Sequence, residues 1–318
     1  MSPFSKEATR WGLAKEAVRL TAEAAPSAWI SVDKSSDINH RLELLEDNGL
    51  RGVKANFPAV PGMKVTEGKV QNPLRVSAIA YFVNMILGAP TTSEVETGAA
   101  YKHAFVLPSG IQPPTYTFFV DRGLGVKKYN GCAVKKFGLK ASPNGLITHE
   151  SDIIGLNEAA GSIGSPSYAN EGVPLSFNHA TVKVGGVANV DIKEWAFTLD
   201  SGAFAKRVMS GSQVPADILA PAPLKVDGSF TIYFENDTER AKFIAGTSNS
   251  LQFLIEGETI AGTSKETLDL RLPKILYKAY PYGEADNMLA AQVAFEASYD
   301  ITSSKLLELD VINRIATI

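Results

Sequence analysis

Apolar residues recur at helical spacing in residues 73–90, "PLRVSAIAYFVNMILGAP". Val76, Ile79, Ala80, Val83, Ile86 and Leu87 fall on one face, Pro73 stands near the start, and Gly88 and Pro90 end the pattern. This stretch predicts a helix. A second, shorter helix is predicted over Thr238–Ala245, with Asp237 as its cap. Residues 5–25, rich in Ala, Glu, Lys and Arg, predict a third helix that ends before Pro26.

Most of the remaining chain has the period-two pattern of β-strands. In the cleanest example, residues 292–301, "QVAFEASYDI", polar or small residues alternate with large apolar ones. Similar runs bounded by Gly and Pro predict strands at 29–32, within 50–72, and at 101–107, 115–120, 131–141, 146–154, 180–190, 194–199, 223–234, 251–256, 267–272, 288–300 and 305–312. Residues 89–100 and 155–174 are polar and predict loops. The protein is therefore predicted to be mainly β.

The two halves of the chain run through a similar order of elements. "GMKVTEGKV", a helix and "GAP" correspond to "PLKVDGSFTI", a helix and "GTS". The segment 131–154 corresponds in the same way to the segment 290–313, and its acidic pair Glu150 and Asp152 corresponds to Glu308 and Asp310. Order shared at this scale favours two copies of one β-rich unit. One larger unit with the N-terminal segment 1–49 as an arm, and 155–174 as an inserted loop, stays open.

Composition narrows the class of protein. The 318 residues are 45% hydrophobic and 20% charged, which is typical of a globular chain large enough for two domains. No apolar run approaches the length of a membrane span, and the first twenty residues lack the apolar core of a signal peptide. Residues 1–160 carry 18 Lys and Arg against 15 Asp and Glu, whereas the rest is acidic and the whole has a net charge of −3. This balance excludes a protein that grips nucleic acid tightly.

Catalytic and metal-binding patterns are missing. The single cysteine, Cys132, excludes an intrachain disulfide and CxxC chemistry, and its small neighbours indicate a buried strand residue. The four histidines have no metal-ligand spacing, and the sequence contains no Walker A, HExxH or G-x-S-x-G motif. Ser31–Lys34 fits S-x-x-K, but no K-T-G follows. We therefore expect no enzyme activity, no cofactor and no metal.

Several segments resemble the tail tube (major tail) proteins of long-tailed bacteriophages. They are "WGLAKEAVRLTAEAAPSAWISVD" near the start, "GMKVTEGKVQNPLRVSAIAYFVNMILGAP", "TYTFFVDRGLGVKKYNGCAVKKFGLKASPNGLITHESDIIG" and "LRLPKILYKAYPY…AFEASYD". The third is the closest, because Tyr129, Gly131 and Cys132 open a predicted hairpin that ends in an acidic strand. Each motif is weak alone, and their order along nearly the whole chain carries the resemblance.

The resemblance implies a fold and an assembly. It implies tandem tail-tube-type β-sandwiches with extended hairpins and one short helix each, whose hairpins join those of neighbours into a β-barrel ring. The expected domains are 1–155 (an N-terminal arm plus the first unit), a linker at 156–175, and 176–318. Rings of three chains with pseudo-sixfold geometry, or of six chains, would stack into a virion tail tube that conducts DNA transiently. The expected partners are further copies of the chain, a tape measure protein and a baseplate or terminator protein. The chain would be made in the bacterial cytoplasm, and no membrane is involved.

The same picture assigns roles to charged residues. Alternation along the hairpins indicates acidic faces that line the lumen and keep DNA off the wall; the candidates are Glu150, Asp152, Glu296, Asp300, Glu308 and Asp310. Four lysines, Lys127, Lys128, Lys135 and Lys136, are expected at contacts between rings, where they would pair with acids of the next ring. Two other places stay open for them, namely a strand edge that they shield and the lumen itself. Two alternatives stay open: another ring-forming tail component (a baseplate hub or tail terminator), and a β-sandwich carbohydrate-binding module. The dispersed tryptophans Trp11, Trp29 and Trp195 speak against the module.

Overall fold

The computed structural model describes residues 5–189, 191–235 and 237–318. The strands up to residue 160 are β1 (Arg10–Lys15), β2 (Ala28–Ile30), β3 (Asp37–Leu45), β4 (Val60–Pro73), β5 (Thr91–Glu96), β6 (Ala100–Val106), β7 (Tyr116–Asp121), β8 (Val126–Ala141), β9 (Thr148–Gly155) and β10 (Asn157–Ala160). The later strands are β11 (Ala180–Val184), β12 (Val187–Ala188), β13 (Ile192–Asp200), β14 (Phe204–Lys206), β15 (Asp217–Leu219), β16 (Lys225–Tyr233), β17 (Asn249–Ala261), β18 (Ser264–Ala279), β19 (Tyr282–Ala285), β20 (Met288–Ala297) and β21 (Glu308–Asn313). Helix α1 spans Val76–Leu87 and α2 spans Thr238–Ala245, as the sequence predicts.

An antiparallel sheet of eight strand positions, here called the wide sheet, runs through both halves of the chain. Its order is β3, β4, β9, β8, β13, β16, β20 and the combined strand β18–β19. β19 continues β18 in the same register along β20, because Ala279 lies opposite Ala294 and Tyr282 opposite Ala291. The two halves are joined where β13 pairs with the second half of β8.

A second layer packs on one face of the wide sheet. The long strands β8 and β18 belong to both layers, since their first halves pair with β7 and β10, and with β17 and β21. β8 changes partners at Gly131, whose φ of 64° is one that glycine adopts readily. β18 changes partners around Pro273. Before the proline, Arg271 lies opposite Glu308 of β21, and after it, Ile275 lies opposite Ala297 of β20. The Tyr-x-Gly-Cys stretch is thus the bend at which one strand passes between layers.

The core lies between the layers and is rich in aromatic side chains. Phe82 of α1 lies 4.6 Å from the ring of His149 on β9, and both side chains are buried. In the second half, Phe253 of β17 lies 4.8 Å from Trp195 and 5.2 Å from Phe197 of β13. Large apolar side chains therefore occupy one face of the wide sheet along its whole width.

Two sequence predictions are wrong. Residues 5–25 form only a single 3₁₀ turn before β1, which pairs with β2 and β7 and buries Trp11 and Leu13. Gly12 of β1 lies against Pro26, where an added Cβ would come within 2.6 Å of the proline ring. Tertiary pairing has overridden the helix propensity of this segment. The predicted loops 89–100 and 155–174 each contain a strand, since residues 91–96 form β5 and residues 157–160 form β10.

The residue-level alignment of 131–154 with 290–313 is also wrong. β9, which carries Glu150 and Asp152, lies beside β4, whereas β21, which carries Glu308 and Asp310, lies between β18 and β6. β4 pairs with β9 in the first half of the chain, and in the second half β16 pairs with β20.

Candidate functional site: the open face and edges of the wide sheet

The face of the wide sheet that points away from the core, here called the open face, carries polar and charged side chains. In β9 the buried residues His149, Ser151 and Ile153 alternate with Glu150, which is exposed, and Asp152, which is half-buried. The same alternation continues through β13, β16 and β20. These strands therefore turn apolar side chains toward the core and polar ones outward. The end of β9 is an exception, because Ile154 is buried in a second apolar cluster with Ala203 and Ile218.

A row of alternating charges crosses six neighbouring strands of the open face. In register, from β3 to β16, the directly opposed residues are Asp37, Lys69, Asp152, Lys136, Asp200 and Lys225. The ammonium of Lys136 lies 3.6 Å from a carboxylate oxygen of Asp200. Opposite charges across neighbouring strands are a favourable sheet contact. Each lysine of this row therefore has an acid as its cross-strand neighbour.

A second row, one step along the strands, is acidic. Glu150, Asp227 and Glu296 stand in this row, separated by Gly138 and Thr198. Glu150 is paired with Lys69 at 2.6 Å and Glu296 with Lys278 at 2.5 Å. Partial burial and the neighbouring Glu296 raise the pKa of Asp227. The register positions from Glu150 to Glu296 in this row thus hold three carboxylates and no lysine.

The six predicted acidic candidates do not form one surface. Glu150, Asp152 and Glu296 lie on the open face. Asp300 lies in the turn before β21, where its carboxylate accepts hydrogen bonds from the backbone N–H and the hydroxyl of Ser303, and these bonds lower its pKa. It is a turn-stabilising residue in this structure.

Glu308 and Asp310 lie in the second layer, around Arg271. The Arg271 guanidinium lies 3.3 Å from Asp269, 3.6 Å from Glu308 and in direct contact with the largely buried Asp310. Lys305 and Arg271 lower the pKa of Glu308. Glu308 and Asp310 of β21 are thus charge partners of Arg271 on the neighbouring strand β18.

The four predicted ring-contact lysines are also dispersed. Lys127 pairs with Glu158 of β10 at 2.8 Å, and Lys128 reaches the carbonyl of Glu23 at 3.4 Å. Lys136 lies in the charge row of the open face. Lys135 occupies a β-bulge of β8 and is exposed, and its carbonyl accepts from the backbone of Ser201. Of the four, Lys127 and Lys136 form ion pairs among the described residues, whereas Lys128 and Lys135 form none.

A buried histidine lies directly beneath the open face. His149 is fully buried, with Nδ1 2.7 Å from the side-chain oxygen of Asn72 and Nε2 2.7 Å from the hydroxyl of Ser151. Burial lowers its pKa to about 3. His149 is thus a neutral, hydrogen-bonded core residue.

Both outer strands of the wide sheet have an edge that no described strand covers. β3 pairs only with β4, and the carbonyl of Ile38 accepts instead from the Arg122 side chain at 2.7 Å. At the opposite end, residues 276–285 pair only with β20. Apolar side chains are exposed at both ends, among them Leu44 at 63% and Tyr282 at 49%. Such edges invite pairing with another chain.

The described residues offer little for other kinds of site. No group of three His, Cys, Asp or Glu side chains in 5–189, 191–235 and 237–318 is arranged to hold a metal ion. Among the same residues, no helix combines the length and the apolar character that crossing a membrane requires. Cys132 is buried, and burial together with the charge of Glu16 raises its pKa. These features direct attention to the sheet edges and the open face.

Within the part of the chain that the structure describes, the wide sheet of this mainly β protein thus ends in two edges at which backbone groups are open to a further strand. The family model described as phage tail tube protein matches residues 7–297. The chain therefore belongs to the phage tail tube protein family, a structural family of the virion tail. No curated protein matches the chain significantly.

Sequence reasoning did not identify four of the six residues of the charge row. Asp37, Lys69, Asp200 and Lys225 come from four strands, and nothing in their spacing along the chain brings them together. The alternation of polar and apolar residues around Lys69 and Lys225 indicates which face of its strand each lysine lies on. Their partners on neighbouring strands depend on sheet register, which the alternation does not give.

Proposed function

We propose that this protein is the structural subunit of a phage tail tube, and that its wide sheet forms one segment of a closed β-barrel ring that conducts DNA. The observation that carries the proposal is the wide sheet with two uncovered edges, in a chain that belongs to the tail tube family. Pairing of these edges between copies would satisfy their backbone groups and close the sheet. The role is structural rather than catalytic.

The proposal includes two tandem tube units in each chain. Seven strand pairings of the first half, β1–β2, β1–β7, β7–β8, β8–β9, β8–β10, β9–β4 and β4–β3, have counterparts in the second: β11–β12, β11–β17, β17–β18, β18–β20, β18–β21, β20–β16 and β16–β13. α1 and α2 follow the equivalent strands β4 and β16. On this basis we place the end of the first unit after β10, at Ala160.

Details of the two units support the same match. Gly68 lies opposite Ile38 and Ile153, and Gly228 lies opposite Phe197 and Phe295. In β8, Val134 lies opposite Ile153 and the next residue, Lys135, forms a bulge. In β18, Tyr277 lies opposite Phe295 and the next residue, Lys278, forms a bulge. Agreement down to a bulge favours duplication over a chance likeness of strand order.

Two units in each chain favour a ring of three chains. Closing one copy of the wide sheet on itself would give eight strands, and barrels of that size are filled by their own side chains. Three copies would give twenty-four strands at about 4.8 Å spacing, and a barrel tilted like known barrels would measure about 45–50 Å between opposite backbones. That leaves a wide aqueous lumen, lined by the open face. Six copies would double the strand number.

The open face suits passage of DNA without binding. Its acids Asp37, Glu67, Glu150, Asp152, Glu194, Asp200, Asp227 and Glu296 slightly outnumber its bases Arg41, Lys69, Lys136, Lys140, Lys225 and Lys278. Because the lysines of the charge row lie opposite acids, phosphates would meet no continuous track of unpaired cations. We propose a lumen of mixed charge with an acidic excess, contributed in part by the predicted residues Glu150, Asp152 and Glu296.

Sedimentation velocity of the purified chain over a range of concentrations tests the proposal. We expect growth from the 34.1 kDa chain to large assemblies, which negative-stain images of the same samples should show as hollow. Particles that remain at the mass of one chain at every concentration, with or without added tail-tip proteins as nuclei, would contradict the proposed function.

A further inference from the structure

The junction between β8 and β13 inside the chain provides a template for the junction between chains. β13 is the first strand of the second unit's part of the wide sheet, and it pairs with residues 136–141 of the first unit. β3 is the corresponding strand of the first unit, and its outer edge has no strand beside it among the described residues. Residues 279–284 correspond to 136–141, and their outer edge is also uncovered. The pairing between β8 and β13 therefore occurs once within the chain. The two edges that could form the same pairing, those of β3 and of residues 279–284, have no strand beside them among the described residues.

The strand registers fix which residues correspond. Gly68 and Gly228 are equivalent positions, and their cross-strand partners Ile38 and Phe197 therefore correspond. By the same count, Asn39 corresponds to Thr198 and Arg41 corresponds to Asp200. The bulge residues Lys135 and Lys278 are equivalent in the two units. Counting on from them, Lys136 corresponds to Ala279 and Leu139 corresponds to Tyr282. Within the chain, Leu139 lies opposite Phe197 and Lys136 lies opposite Asp200.

We infer that β3 of one chain pairs antiparallel with residues 279–284 of a second copy of this chain, in the register that sets Ile38 opposite Tyr282 and Arg41 opposite Ala279. The inference rests on the proposed function and specifies the partner surface and its register. The contact is heterologous, because each copy contributes a different edge, and repetition of it closes a ring.

The backbone of the second edge is compatible with this pairing despite a proline. Pro281 has no N–H, and a proline facing the neighbour would interrupt the ladder. The carbonyl of Pro281 instead accepts from the N–H of Gln292, so its backbone faces β20. The backbone groups of Tyr280 and Tyr282 therefore point outward. Their counterparts in the first unit are Phe137 and Leu139. The backbone groups of these two residues point toward β13, as does the carbonyl of Lys135, which accepts a hydrogen bond from the N–H of Ser201.

The side chains at the two edges also fit. On the core side, Tyr282 is half exposed and lies near Ile38 in the inferred register, where Leu139 meets Phe197 within the chain. On the open face, Arg41 and Ala279 would be direct neighbours, as Asp200 and Lys136 are. The inferred register therefore extends the open face across the junction.

Disulfide trapping tests the register. We choose Arg41→Cys with Ala279→Cys, because the inferred pair is of the non-hydrogen-bonded type, whose Cα atoms lie about 4.5 Å apart, within disulfide range. The shifted pair Arg41→Cys with Gly283→Cys is the control, since four residues displace the partner by about 13 Å, beyond disulfide range. Lys136→Cys with Asp200→Cys is the matched pair within one chain. The native Cys132 is buried and serves as the background.

Mild oxidation of the assembled protein should link Arg41→Cys/Ala279→Cys chains into species of two and three times the 34.1 kDa chain mass on non-reducing gels. The shifted pair should stay at one chain, and Lys136→Cys/Asp200→Cys should form its bond without a change of chain number. Rings without the 41–279 link, or with the 41–283 link instead, would overturn the register and leave the proposed function standing. Chains that form neither rings nor links, although the 136–200 bond forms, would overturn both.

Discussion

His149 gives the folded chain a pH dependence that can be worked out from its surroundings. The imidazole is fully buried between Phe82 and Phe137, with Asn72 and Ser151 as its hydrogen-bond partners. Burial lowers its pKa to about 3, whereas an unfolded histidine titrates near 6.5. The unfolded chain therefore binds the proton first. Stability should fall as the pH drops below about 6.5 and level off near pH 3.

The size of this effect follows from the difference in pKa. At about pH 5 the proton bound by the unfolded state is worth about 2 kcal/mol, and at about pH 7.5 it is worth almost nothing. His149→Gln keeps a side chain that can donate and accept but does not titrate in this range. Between about pH 7.5 and pH 5, wild type should thus lose about 2 kcal/mol more unfolding free energy than His149→Gln.

Urea unfolding of the dispersed chain at both pH values measures this difference. Other histidines and the carboxylates also titrate in this range, so the comparison between wild type and variant isolates His149. Equal losses of unfolding free energy in the two proteins would refute the assignment of His149 as a neutral buried group.

Three further predictions concern packing and charge. Gly228→Ala should cost about 1–3 kcal/mol in urea unfolding, because the added Cβ would contact the Phe295 ring and lie 2.6 Å from the carbonyl oxygen of Ala196; an unchanged midpoint would contradict the packing. Arg271→Ala should lower the unfolding free energy by about 1–2 kcal/mol, because the largely buried carboxylate of Asp310 loses one of its two cations and keeps Lys102 as the other. Glu150→Gln with Asp152→Asn should change stability by less than about 1 kcal/mol, because both are surface charges. The same variant, once assembled, should retain duplex DNA more strongly at low salt in a filter-binding assay, and equal retention would show that these acids do not shape the lumen.

The helices and the alternating strands could be predicted because their signals are local. α1 has an apolar stripe that ends at Gly88, whose φ of 86° suits glycine. From Ala291 to Ala297, β20 has an unbroken period of two, and the structure buries Val293 and Phe295 as that period predicts. Such segments carry their own pattern, independent of which neighbour they meet.

Other features depend on contacts far apart in the chain. β1 has the composition of a helix and becomes a strand because β2 and β7 flank it. β3, "DINHRLELL", was not recognised as a strand; only Ile38 is buried among its residues, and its amphipathic signal is weak. The similarity of the two halves shows in the sequence around β4 and β16. The predicted alignment sets β8 and β9 against β20 and β21, whereas the proposed match sets them against β18 and β20. Register and partner choice are tertiary properties.

The same limit applies to the candidate site. Glu150 and Asp152 were assigned to one strand face from alternation alone, and the structure places both on the open face. Glu308 and Asp310 followed from the misaligned repeat and lie instead around Arg271. The charge row of Asp37, Lys69 and their partners required the cross-strand neighbours to be known.

The most direct measurement of the central claim is rotational averaging of end-on electron micrographs of the assembled protein. We predict a hollow ring whose average has true threefold symmetry with sixfold-like modulation, since each chain would contribute two similar but unequal units. A solid particle, or a hollow ring of six identical copies, would contradict the account of a barrel closed by three wide sheets.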